Sequence, residues 1–509
     1  MQQFDFVTDL YILDLTHEYV IRIGESYNML QNFLNFEKIP KLRTLKVKHM
    51  FVTDEFLEKV SNMKLQSLMF IGCTFLISKD TVQTVQQCKQ IEVTFGESYE
   101  NICFNRCGRF YTHISPPAHK QMIKIQVNIN KCVKLRNLAV NMGEYANVMP
   151  SDQIVGGLRY LTLGKMNCDR LLSSFRCYGT TPEYLSIDIF DLKLAVSFLK
   201  EINRNELKHL VLICVTHGHS LKTCDASNLL NLDFAALKVL EIDAGGIYNK
   251  LSSGSTSEIQ MRKLETLIIR HLYLDEKLLK MITELEMLKH LEICIANRYF
   301  GPRILHRQLS NLKGPIEKLL VSSELTIYEL VRSIEPLKML KEFRIDGRSI
   351  QSSFDSLANQ NYDKCQPAKV DANEQNLMES KNVVHLKLHT LHVSVDSTYE
   401  ELIKLMLCQD FEAFADIKKL VIDVIAILSK DNQVSSESSP ELLNNLIKNI
   451  FETFKQLDVL VFCYKSFHIS EEEAHILREF FSSRCKSLKE RCEWSDECNE
   501  EQTIFELYK

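Results

Sequence analysis

Cys103, Cys107, His113 and His119 are the residues that come nearest to a metal centre, because thiolate and imidazole are the donors zinc prefers. Their spacing argues against one. The interval from Cys107 to His113 is too short for the hairpin and helix that separate the ligand pairs of a zinc finger. His385, His389 and His392 fall along one expected strand, where alternation sends His385 and His389 to one face and His392 to the other. Three imidazoles so divided cannot meet one ion. Cys485, Cys492 and Cys498 fit no ligand spacing, and their thiols read as ordinary ones. No Gly-x-Ser-x-Gly elbow, His-Glu-x-x-His pair, phosphate-binding glycine loop or dinucleotide fingerprint occurs. The chain is therefore expected to have no catalytic residues, no cofactor and no metal, and to work by binding.

Charge narrows the partner. With 61 basic and 66 acidic side chains interspersed, the net charge is only -5, so no field is present to hold nucleic acid or an anionic membrane. Sixteen cysteines are scattered without a regular framework, and no Asn-x-Ser/Thr acceptor occurs. The segment from Met1 to Asp9 lacks the basic start and apolar core of a signal peptide. The apolar run near Leu420 to Leu428 is broken by Asp423 and falls short of the roughly 20 residues of a membrane helix. A cytoplasmic location is expected, with the nucleus as the alternative.

What must position a binding surface is a repeat. Leu65-Gln-Ser-Leu68-Met-Phe70-Ile-Gly-Cys73-Thr-Phe75 fits L-x-x-L-x-L-x-x-N/C-x-L, in which Leu65, Leu68 and Phe70 turn inward while Ser67 and Met69 face out. The pattern recurs with first positions at Leu10, Leu42, Leu65, Cys88, Leu135, Leu158, Pro182, Leu207, Leu237, Leu264, Leu288, Ile316, Leu340, Leu388, Ile417 and Leu457. Most intervals are about 23 to 30 residues, the length of one such unit. Counting degenerate copies, including one expected within residues 105–134, gives some 16 to 18 repeats. Helices are expected between strands. Asp54 to Val60 and Asp275 to Ile282 carry helical periodicity, Thr326 with Glu329, Ser397 with Glu400 and Ser470 with Glu473 have capping-box spacing, and Ser439 precedes Pro440 as an N-cap precedes a first-turn proline. The fold class is α/β: a solenoid over residues 1–469, interrupted by a polar, mobile insertion at 351–382. Shorter polar breaks fall at Leu251 to Ile259 and Asp431 to Ser439. Residues 470–509 are expected to form a capping helix and a charged tail.

These units resemble the ribonuclease-inhibitor-like class of leucine-rich repeats, and in particular the repeat region of F-box/leucine-rich-repeat proteins. The resemblance implies a horseshoe with a parallel concave sheet, convex helices and a protein partner held on the concave face. It implies two more specific roles as alternatives: the substrate-recognition subunit of a ubiquitin ligase, bound to ligase scaffold proteins, or a regulator of a small GTPase or other enzyme. No F-box is visible, since a repeat strand is expected to begin at Leu10. In the family the ninth position bonds the adjoining turn through Asn or Cys; here Cys73 fits, whereas Met50, Gly96, Gly143, Met166, Leu272 and Ala296 do not.

The fifth position of each unit should face the partner. In order it holds Asp14, Lys46, Met69, Glu92, Ala139, Thr162, Ser186, Val211, Glu241, Ile268, Glu292, Leu320, Arg344, His392, Val421 and Val461. Large apolar residues on such a face mark contact. Met69 is one, and Ile268, Glu292, Leu320 and Arg344, on successive units, are expected to form a mixed apolar and charged strip. The second position is basic in nine units, among them Arg43, Lys89, Arg136, Lys208, Lys289 and Lys341. That row reads as a solvated rim rather than as a rail for an acidic partner.

Overall fold

The computed structural model describes residues 8–13, 39–48, 51–77, 83–85, 88–105, 109–112, 123–141, 146–149, 157–163, 182–189, 192–202, 204–214 and 227–248. It also describes residues 261–274, 276–295, 302–323, 325–346, 386–395, 409–424, 440–465, 487–495 and 500–508. The chain forms two compact units, Met1–Gly245 and Gly246–Lys509, and both are α/β structures built on a long, mostly parallel sheet.

In the first unit the strands Asp9–Leu13, Thr44–Lys48, Ser67–Ile71, Asn101–Asn105, Asn137–Asn141, Tyr160–Leu163, Tyr184–Ile189, His209–Cys214 and Val239–Tyr248 pair in parallel, each with the next. Alternation decides the two faces. Leu45 and Val47 are buried while Lys46 between them is half-buried, and Leu210 and Leu212 flank half-buried Val211 in the same way. Each fully buried leucine removes apolar surface worth about 1.5 to 3 kcal/mol from water, which is why the inward pair persists in strand after strand.

The second unit repeats this arrangement. Thr266–Tyr273, His290–Ile295, Lys318–Ser323, Glu342–Ile345, Thr390–Val395, Lys419–Val424 and Val459–Lys465 pair in parallel in chain order. The helices Glu276–Thr283, Pro302–Ser310, Ile327–Ile334 and Pro440–Thr453 lie in the connections and bury apolar residues such as Leu279, Leu305, Leu330 and Ile450, and Pro302–Ser310 lies against both Glu276–Thr283 and Ile327–Ile334. Gly314, in the link from Pro302–Ser310 to the next strand, sits so close to the preceding unit that a Cβ would lie 2.5 Å from the Leu288 carbonyl oxygen. Only glycine fits there.

One edge of each sheet carries a main-chain ladder. The Arg43 carbonyl accepts N–H groups from Gln66 and Ser67 at 2.8 and 3.0 Å, and the Lys341 carbonyl accepts those of His389 and Thr390 at 2.8 and 3.0 Å. Glu100, Glu183, Lys208, Glu265, Lys289, Glu317, His389 and Lys418 repeat the double acceptance. Along this rim, lysines of the expected basic row meet glutamates of neighbouring units: Lys208 with Glu183 at 2.7 Å, Lys289 with Glu265 at 3.0 Å and Lys341 with Glu317 at 2.8 Å. The lysine hydrogen bonds hold Glu183 and Glu317 below the usual carboxylate range. Exposed pairs of this kind contribute little stability, but each sets a carboxylate against a lysine of the row.

From Leu135 onward every expected unit has its strand two residues after its first position. Before that, three expectations are corrected. Leu10 stands opposite Leu45, so it is the fourth and not the first residue of its unit. Cys88 does begin a strand, Cys88–Thr94, but it pairs with Ile123–Asn128 in a separate sheet that also holds Ala146–Met149 and Gln83–Val85. The unit's true strand is Asn101–Asn105, preceded by Tyr99 in the place of the first leucine. Period-two alternation identifies a strand but not the sheet it joins. Thirdly, helices do not fill every connection: Phe51–Thr53, Thr74–Ile77 and Arg109–Thr112 form another parallel sheet, as suits their β-branched and aromatic residues.

The C-terminus differs as well. Ser487–Ser495 and Glu500–Tyr508 are strands, the latter antiparallel to Val459–Lys465, so a hairpin and not a charged tail follows the last parallel strand. Charges hide the pattern: Leu507 is fully buried while Glu506 and Tyr508 lie on the other face. Residues 470–486, where a helix is expected, lie outside the described residues, as do 351–382 and the breaks at 251–259 and 431–439. Among the described residues, no helix is long and apolar enough to cross a membrane.

Candidate interaction surface

The uncovered face of each sheet is where side chains from many units meet. In the second unit the expected strip is one continuous row, Ile268 opposite Glu292, Glu292 opposite Leu320 and Leu320 opposite Arg344, continuing through His392, Val421 and Val461 to Glu506. The four strip residues are therefore brought together. Their exposure is unequal: Ile268 and Glu292 are buried, while Leu320 and Arg344 are partly open. Val461 is also buried, in an apolar cluster with Cys463 and Ile504 against which Val421 and Val459 pack.

Both charges of the strip are engaged by the face itself. Arg270 Nε donates to Glu292 Oε1 at 2.8 Å. Arg344 donates to Asp423 Oδ2 at 3.2 Å and makes longer contacts, at 3.4 Å, with the Ser394 hydroxyl. His392 Nε2 lies 2.7 Å from Asp423 Oδ2. Burial pushes the Asp423 carboxyl up, but His392, Arg344 and the Cys463 thiol together outweigh it and hold the group below its usual value. One strand away the Ser322 hydroxyl donates to Asp346. Leu320 is thus an apolar side chain between two charged ones that are both held by their neighbours.

In the first unit the corresponding row is Tyr11, Lys46, Met69, Cys103, Ala139, Thr162, Ser186, Val211 and Glu241. Met69 stands in it as expected, partly open between Lys46 and Cys103. Glu92 belongs to the other sheet and Asp14 lies outside the described residues; Cys103 and Tyr11 hold their places. Tyr11, half exposed, has Lys46 and Lys48 over its ring at 5.2 and 5.8 Å. Burial raises the Cys103 thiol to about 11, so it stays protonated at neutral pH. Cys107, His113 and His119 lie outside the described residues.

The fifth position alone misses part of this surface. Pleating sends the third and seventh positions to the same side, and in the first unit the third holds an unbroken series. Asn137 donates to Asn101 across the strands. Tyr160 and Tyr184 stack at 3.8 Å with planes 5° apart, Tyr184 meets His209 edge-on at 4.5 Å, and His209 reaches Glu241 at 3.0 Å. Burial first, then Tyr160 and Glu241 beside it, raise the Tyr184 phenol. Alternation in the sequence was signal enough to place these residues, once positions three and seven are counted with five.

Fold and surface together define a repeat-like α/β sheet protein. No family model matches the chain, and no curated protein matches it.

Proposed function

We propose that this chain is a non-catalytic scaffold of the leucine-rich-repeat kind that binds another protein on the uncovered face of its parallel sheets. One observation carries the reading. Residues that the sequence places at the fifth position of successive units, Ile268, Glu292, Leu320 and Arg344, stand side by side in one row on that face. A row of this kind offers a partner many shallow contacts rather than one reactive centre, and Leu320, apolar and partly open between anchored charges, suits the middle of a contact. Leu320→Asp tests it. The side chain is not part of the buried face, so the variant should unfold within about 1 kcal/mol of the parent chain. Partners co-purified with the parent should be depleted at least about 10-fold, the effect of losing one central apolar contact. Undiminished capture by a folded Leu320→Asp chain overturns the strip.

A further inference from the structure

In the second unit a cleft of about 460 Å³ opens between the helices Glu276–Thr283 and Pro302–Ser310, within the size range of sites that take a ligand or a partner's side chains. Its walls are charged. Glu276, Lys280 and Glu284 stand on one side, Arg307 and Lys313 on the other. Arg307 pairs with Glu276, to which buried Gln308 also donates at 3.2 Å, and Lys313 pairs with Glu284. Both carboxylates are thereby engaged, and the third cation, exposed Lys280, is in excess. The sequence leans the same way, since Pro302 to Lys313 contains Arg303, Arg307 and Lys313 and no carboxylate.

Through Glu284 and Lys313 the cleft adjoins an apolar row. The main chain of Leu285 and Leu288 lies so close to Gly314 that the links carrying Met287 and Pro315 touch. Met287, Pro315 and Met339 each stand two residues before a rung of the rim ladder, at Lys289, Glu317 and Lys341, so successive units bring them into line. Met287 is 48% and Met339 55% exposed, with exposed Pro315 between them. Two strand spacings, about 10 Å, separate the ends of the row. An amphipathic helix repeats its apolar face at i, i+3 or i+4 and i+7, over about 10.5 Å.

We infer that this row and cleft together dock an acidic amphipathic helix of a protein partner, its apolar side chains on Met287, Pro315 and Met339 and a carboxylate beside Lys280. The surface belongs to connections between strands and is separate from the row that holds Leu320. Methionine is unbranched and polarizable, so a pair of them adapts to differing apolar faces. The surplus cation of the cleft selects the sign of the flank that lies over it. A flat anionic bilayer would also press on exposed Glu286 beside Met287, whereas a helix carries its charge along one flank.

The test uses the intact chain and a fluorescein-labelled peptide of about 18 residues, long enough to be helical, with leucines along one face and glutamates along the other, read by anisotropy in physiological salt. Matched peptides replace the glutamates with lysines or the leucines with serines, and phosphatidylserine–phosphatidylcholine vesicles serve as a further probe. The acidic peptide should bind saturably, at least about 5-fold more tightly than the lysine peptide and about 10-fold more tightly than the serine one. Met287→Ser combined with Met339→Ser should weaken it about 10-fold, and Lys280→Glu about 5-fold with a smaller preference over the lysine peptide. All three side chains are exposed, so these variants should keep the parent's denaturation midpoint. Leu320→Asp should leave peptide binding unchanged. Absence of saturable binding, equal binding of the three peptides, or insensitivity to the methionine and Lys280 variants overturns the inference. So does loss of peptide binding in Leu320→Asp, which would put the peptide on the other surface, or stronger binding to the vesicles. A chain dimer that the methionine variant dissolves would assign the row to a second copy and overturn it too.

Discussion

Single residues set the register of the array, and Tyr99 shows how. Its ring fills the place that leucine takes in other units, and its hydroxyl donates to the Val60 carbonyl at 2.6 Å, tying the unit to the helix Asp54–Ser61. Burial raises the phenol, so the donor stays protonated at any ordinary pH. Tyr99→Phe keeps the ring and removes the bond. It should cost about 1 kcal/mol in chemical denaturation of the first unit, and a loss below a few tenths would show that the ring alone holds the position. Cys73 is the complementary case. Its ninth position is legible in sequence, and its thiol meets the Val47 carbonyl of the preceding unit at 3.4 Å, with Gly72 beside it at φ 61°, where glycine is at ease. Tyr99 was not legible, because a repeat sought by its leucines passes over an aromatic residue doing the same work.

Elements were legible where local chemistry names them. Thr53 caps Asp54–Ser61 by accepting from the Phe56 N–H at 3.2 Å, and Thr326 and Glu329 form the reciprocal box that their spacing announces. Thr326→Ala removes one half of that box and should lower stability of the second unit by about 1 kcal/mol, measurable as a fall in denaturation midpoint with unchanged slope. An unchanged midpoint would mean that packing of Leu330 and Ile334 alone holds the helix. Less legible were the strands Cys88–Thr94 and Glu500–Tyr508. In the first, the alternation was read but assigned to the wrong layer; in the second, Glu506 obscured an alternation whose buried members include Leu507. The candidate surface divides in the same way. The row from Ile268 to Arg344 followed from spacing, whereas the pairing of Arg344 with Asp423 and the stack of Tyr160 on Tyr184 depend on side-chain directions that a linear pattern does not contain.

For the molecule as a whole, the regular feature is the rim ladder, because its bonds are made by main chain and ignore side-chain identity. Lys341 and His389 are joined through it although a long stretch of sequence separates them, in the same geometry that joins Lys289 to Glu317. What passes between two rungs is therefore free to vary in length and composition. The same indifference makes the chain divisible. Two polypeptides, one ending at Asp346 and the other beginning at Leu386, would still present the Glu342–Ile345 and Thr390–Val395 strands to each other, with Phe343 and Leu391 at full burial and Arg344 facing His392. Co-expressed, they should assemble into one complex that co-elutes on size exclusion, and separate elution would show that the covalent link is needed. Assembly would make this seam a natural place to build a split reporter, switched on when two tethered halves are brought together.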